Sequence, residues 1–237
     1  MVTMDVKETA APGPPAPLSV LTLRHVIPEP YATEQWAQVR PLIDGHDVLE
    51  EIHPGGVSSC SRAELSGPPG TWPLTAAAQP REVELSNNDC VTACCGGVFV
   101  TIARLGDRVR WSDWRNTDDI RTPVPPDVVF DAARYDAELA RAAADTGWEE
   151  PVDAVARLLA RALAENGWPQ RWGCVLDGVS PDREEPSAPR VEVRFHAASD
   201  TSADFSRSFP VTPGEPPGDQ ARRHLATIMS GDPREGG

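Results

Sequence analysis

A chain of 237 residues with 40% apolar residues, seven tryptophans and 25 prolines can bury one large core or two small ones, and it is too apolar for general disorder. Its formal charge of −14 disfavours binding to nucleic acid or anionic lipid, which demands a basic stripe, and favours solubility or a basic partner. No apolar run approaches the ~20 residues of a membrane span, and no basic segment followed by an apolar one marks a leader. The expected compartment is the cytosol, where an odd set of five cysteines reads as reduced thiols rather than a disulfide framework.

Residues 1–17, with Pro12, Pro14, Pro15 and Pro17, read as a disordered tail. Leu18 to Val26 alternates loosely as a first strand. Val39–Ile43 and Val48–Ile52 flank Asp44-Gly45-His46-Asp47, a turn signal that predicts a hairpin. A loop rich in Pro, Gly and Ser follows, then a strand over Glu82–Leu85. The clearest β unit is the hairpin of Gly97–Arg104 and Arg108–Trp114 about Leu105-Gly106-Asp107. Its faces are expected to carry Val98, Val100 and Ile102 on one arm and Val109, Trp111 and Asp113 on the other. Asn116–Asp127 is a polar loop.

Asp131 is placed to cap a helix running to about Asp145, with Tyr135 and Leu139 on one side. Arg134, Glu138, Arg141 and Asp145 fall on a single charged stripe at helical spacing, read as a solvated surface. Pro151 suits the first position of a second helix, whose apolar stripe is Val152, Val155, Ala156, Leu159 and Leu163 and whose C-terminal cap is Gly167. The hairpin is expected to pack near this helical pair. Trp172–Asp177, Arg190–His196 and Asp204–Val211 read as strands, and Asp219–Met229 as a short final helix. Residues 231–237 are expected to fray. The order of elements predicts an α+β fold of mainly antiparallel sheets, with a central helical pair and a short C-terminal helix. It forms one domain over 18–230, or two subdomains dividing into 18–130 and 131–230.

Chemistry is sought first at Cys90-Val91-Thr92-Ala93-Cys94-Cys95-Gly96-Gly97. One tetrahedral ion can collect Cys90 and Cys94, and Cys95 joins only if the backbone turns sharply, which Gly96 and Gly97 permit. A fourth ligand would come from upstream, Cys60 or His53 being the candidates alongside His46. Against zinc stands the simpler reading, thiols lining a packed turn. A Cys–His dyad with His53 is a third possibility. No G-x-S-x-G elbow, H-E-x-x-H helix or Walker loop is present. Trp114 and Trp148 would serve as interface anchors if they remained exposed.

Taken together, Cys90-x-x-x-Cys94-Cys95-Gly96, Val109-x-Trp111-x-x-Trp114 and Phe130-Asp131-x-x-x-Tyr135-Asp136-Ala137-Glu138 resemble a group of uncharacterised actinobacterial proteins. The resemblance implies a high-GC bacterial origin, to which Lys7 as the single lysine conforms, and transfers no catalytic residue. Two functions are expected from the residues themselves. One is a non-catalytic acidic interaction protein, immunity-like or regulatory, that needs no cofactor and takes a basic protein as partner. The alternative is a small zinc- or thiol-dependent enzyme centred on Cys90, Cys94 and Cys95.

Overall fold

The computed structural model describes residues 17–29, 36–61, 72–88, 96–118 and 122–232. The tail expected over 1–17 lies outside them except for Pro17, as do residues 233–237. The fold is α+β with antiparallel sheets, and its buried apolar residues fall into two clusters.

The first cluster lies between two sheets. β1 (Leu21–Val26) pairs with β2 (Gln38–Ile43), and the chain turns back through Asp44 and Gly45 into β3 (His46–Asp47). Both turn residues have positive φ, 52° and 86°, which matches the right-handed twist of a two-residue hairpin. The return strand lasts only two residues. Val48–Ile52, expected as a strand, is instead the helix α1. Asp47 caps it by accepting hydrogen bonds from Leu49 N and Glu50 N, and Val48, Leu49 and Ile52 then share the buried side. Arg40 Nε lies 2.8 Å from the same Asp47 carboxylate. Burial alone would raise the pKa of Asp47; the hydrogen bonds from Arg40 and Glu50 N and the charges of Arg40 and Arg24 outweigh it and hold it below the ordinary carboxylate value.

The second sheet runs β4 (Val57–Ser58), β5 (Arg81–Asn87), β6 (Gly97–Leu105), β7 (Arg108–Asn116) and β8 (Val128–Asp131) in that spatial order. β8 lay inside no expected element, because four residues give too short a pattern to read. Both seams between the sheets are stitched. Val39 N donates to Cys60 O at 2.7 Å on one side, and Ser19 N donates to Val129 O at 2.8 Å on the other. Val98, Val100 and Ile102 face the interior, as their alternation requires.

In β7 the pattern breaks. Asp113 adopts φ 53° where the β6–β7 register slips, so it is an extra residue that turns outward and rotates Trp114 into the core. Trp114 is 8% exposed and packs on Trp111 with ring centroids 5.7 Å apart. The shared face is therefore Val109, Trp111 and Trp114 rather than Val109, Trp111 and Asp113.

α2 (Ala132–Ala144) starts at Asp131, whose carboxylate accepts from Arg134 N at 3.0 Å. Tyr135 and Leu139 join the first cluster. The Tyr135 hydroxyl donates to Leu74 O and accepts from Trp111 Nε1, and burial pushes its pKa up. The charged stripe beside Tyr135 and Leu139 is solvated only in part: Arg134 and Arg141 are exposed, while Glu138 is half-buried. β1 is a sheet edge, and Leu23 N donates to Glu138 Oε1 at 2.6 Å while Leu23 O accepts from Arg141 at 2.7 Å. Glu138 and Arg141, themselves paired at 2.7 Å, thus fill the place of a neighbouring strand.

α3 (Pro151–Asn166), α4 (Trp168–Arg171) and α5 (Pro217–Met229) belong to the second cluster, with β9 (Cys174–Asp182), β10 (Arg190–Ala197) and β11 (Asp200–Pro210). Pro151 occupies the first turn of α3 and Gly167 ends it at φ 58°. The expected helical pair therefore does not pack as one unit: α2 buries its stripe with the hairpin, and α3 buries Val152, Val155, Leu159 and Leu163 in the second cluster. The three strands form a meander ordered β11-β10-β9, with helices against the face of Val191, Val193 and Phe195. At the end of β9, Arg183 is bonded to the buried Asp153. Burial raises the Asp153 pKa despite the opposing guanidinium. No helix among the described residues is long and apolar enough to cross a membrane.

Candidate functional site

His53, at the C-terminal end of α1, is the centre of a buried polar constellation. Its N–H continues the helix by donating to Leu49 O at 2.8 Å. Ile52 O accepts from Asn116 Nδ2 at 3.0 Å and from the Thr122 hydroxyl, which ties α1 to the chain leaving β7. The ring is 2% exposed. Its Nε2 lies 2.8 Å from Asn88 Oδ1 and 3.1 Å from Asp118 Oδ2, and its Nδ1 lies 2.9 Å from Ser86 Oγ. In the tautomer with the proton on Nε2, that proton faces two acceptors and Nδ1 accepts from the Ser86 hydroxyl.

Serine, histidine and aspartate in a row are the components of acyl-transfer chemistry. Here the ring is turned, with serine on Nδ1, and Ser86 has no exposed surface at all. Gly56 seals that side: a Cβ there would stand 2.4 Å from His53 Nδ1 and 2.6 Å from Ser86 Oγ. A nucleophile must reach its substrate, and this hydroxyl meets only protein. The constellation is a hydrogen-bonded brace.

The constellation holds the described residues on either side of the cysteine segment. Asn88, bonded to His53, is the last described residue before it, and Gly96 is the first after it. Gly96 has φ 79°, and a Cβ there would meet Asp118 Cα and Thr117 O at 2.6 Å. Gly97 N donates to Thr117 Oγ1 at 3.0 Å. Both stems of the segment therefore converge on His53 and Asp118. Cys90, Cys94 and Cys95 themselves lie outside the described residues.

Of the other expected ligands, the Cys60 side chain is buried in the first cluster and its backbone is bonded to Ser58 and Val39. Among the described residues no three His, Cys, Asp or Glu side chains gather in a metal-binding group. Trp114 is turned inward by the bulge and presents no ring to a partner. Trp148 is half-buried, stacked on His25 at 4.8 Å, and donates from Nε1 to Asp145 O at 2.9 Å. Ser86, Asn88 and Asp118 were not singled out in the sequence, since nothing in their spacing announces a common histidine.

A second site lies on the uncovered face of the β9–β10–β11 sheet. A cavity of about 600 Å³ opens there between Asp177, Glu192, Arg194, His196, Asp204 and Ser206. Strand alternation explains the lining, because residues two apart point to the same face. His196 Nδ1 is paired with Asp177 at 2.6 Å and Arg194 with Glu192 at 2.6 Å. Asp204, opposite His196 in the register, has no ion pair among the described residues. No protein-family model, no curated protein and no solved structure matches this chain.

Proposed function

We propose that this protein is a non-catalytic acidic interaction protein that recognises a basic protein partner. The observation that carries the reading is the uncovered, acid-bearing face of the β9–β10–β11 sheet, where a cavity of about 600 Å³ is open and polar. A net charge of −14 steers a basic partner toward such a face over the ~8–10 Å Debye length. The burial of Ser86 beside His53 supports the same reading, because a nucleophile needs an exposed hydroxyl. Charge reversal tests it. Asp177→Lys with Asp204→Lys is expected to abolish retention of a basic host protein that wild type retains at low salt and releases at high salt. Equal retention by both forms would refute it.

A second reading, a zinc- or thiol-dependent site on Cys90, Cys94 and Cys95, is favoured by one observation: the stems of that segment meet at a buried histidine and an aspartate. Metal analysis of the purified protein separates the two. Stoichiometric zinc, together with turnover lost in Cys94→Ser/Cys95→Ser, would establish the second reading. Folded protein without zinc or turnover leaves the first.

A further inference from the structure

We infer that the partner docks by adding an extended basic strand to the outer edge of β11, an inference that rests on the acidic-interaction reading above. β11 is an edge in the order β11-β10-β9 and, with eleven residues, the longest strand described. Val211 N donates to Pro189 O at 2.9 Å, in register with the Arg190–Pro210 pair that follows. Antiparallel strands alternate the direction of their peptide groups. Residues 205, 207 and 209 therefore bond to β10, and Asp204, Ser206 and Ser208 direct N–H and C=O outward. Pro210 falls in the outward set, where its missing N–H costs the ladder nothing.

The contrast with the other long edges gives this its force. Glu138 and Arg141 satisfy the edge of β1 at Leu23. β9 is interrupted by a register shift and by Gly178 and Pro181. Such devices keep edges from pairing with another chain. Among the described residues no strand pairs with the outer side of β11, no register shift falls between Asp204 and Ser208, and the inward-facing Arg207 is the single such device in that stretch.

Main-chain bonds along such an edge supply affinity, and alternate side chains supply specificity. One set of the added strand's side chains would lie over the outer face beside Asp204, which calls for arginine or lysine. The other set would enter the groove of about 320 Å³ between β11 and the end of α5, lined by Arg207, Phe209 and Thr227 among others. That groove, which Ser208 and Ser230 also line, suits small polar side chains. The occupant is therefore a strand alternating basic and small polar residues.

The probe is a capped, fluorescent peptide of about eight alternating arginines and threonines, a typical strand length. Binding to the full chain is followed by anisotropy at two salt concentrations and by amide hydrogen exchange. The expected result is salt-sensitive binding that slows exchange at Asp204, Ser206 and Ser208. Ser206→Pro, which removes an outward N–H and leaves the β10 ladder intact, should weaken binding about tenfold with unchanged circular dichroism. If that variant does not fold, exchange on the unmodified chain decides. Salt-sensitive binding with no added protection at those amides would overturn the edge inference and leave the acidic reading standing. Absence of binding at low salt would overturn the edge inference, with the charge-reversal experiment judging the acidic reading separately. Self-association of the chain abolished by Ser206→Pro would also overturn it, assigning the edge to a second copy.

Discussion

Replacing Glu138 with alanine is expected to destabilise the protein by about 2–3 kcal/mol, far beyond an exposed charge on a helix. The carboxylate is only 14% exposed and accepts from Leu23 N at 2.6 Å, while also holding Arg141 at 2.7 Å. A hydrogen bond to a charged group contributes about 1.5–3 kcal/mol, and the exposed half of the ion pair adds a few tenths. Glu138→Gln keeps an acceptor for Leu23 N and should cost about half as much. Arg141→Ala, at a side chain 45% exposed, should cost about 1 kcal/mol by freeing Leu23 O. Because both side chains clamp one residue, the double mutant should be non-additive by about 0.5 kcal/mol or more. Urea melts with unchanged m-values measure all four. A Glu138→Ala loss within about 0.5 kcal/mol would refute the clamp and return the stripe to solvent.

Leu159→Ala should cost about 2–5 kcal/mol, since the side chain is fully buried in the second cluster; urea melts are again the measure. Trp114→Ala should cost about 3–5 kcal/mol without changing partner retention, which separates a core tryptophan from an interface anchor. Gly56→Ala should destabilise the fold and shift the His53 ring resonances, because its Cβ would overlap both His53 and Ser86. Stability should also fall with acid. Burial, assisted by Arg223, lowers the pKa of His224 below its ordinary 6.5, so the unfolded chain binds the proton more readily. The contribution is full above pH ~6.5 and is lost as pH falls through the depressed folded value, and His224→Phe should flatten that slope in melts across this range.

The strands and helices that the sequence made legible are those with long, regular patterns. Val98, Val100 and Ile102 alternate, and the stripe from Val152 to Leu163 repeats at helical spacing between a proline and a capping glycine. What escaped depends on single residues acting at a distance. Asp47 converts an apolar run into α1 by capping it, and one positive-φ aspartate at 113 moves Trp114 from surface to core. The Glu138/Arg141 stripe has the spacing of a solvated helix face, and only the arrival of β1, more than a hundred residues away in sequence, makes it a clamp. His53 was legible as a chemically interesting residue beside a turn. Its partners Ser86, Asn88 and Asp118 were not, because two separate chain segments bring them to a ring carried by a third.

The most direct measurement for the interaction reading is retention of a basic host protein by wild type and by the Asp177→Lys/Asp204→Lys variant, side by side at low and high salt. Wild type is expected to retain a basic partner at low salt only, and the charge-reversed protein, folded as judged by circular dichroism, to retain none. Equal retention by both proteins, or retention by neither, would contradict the account.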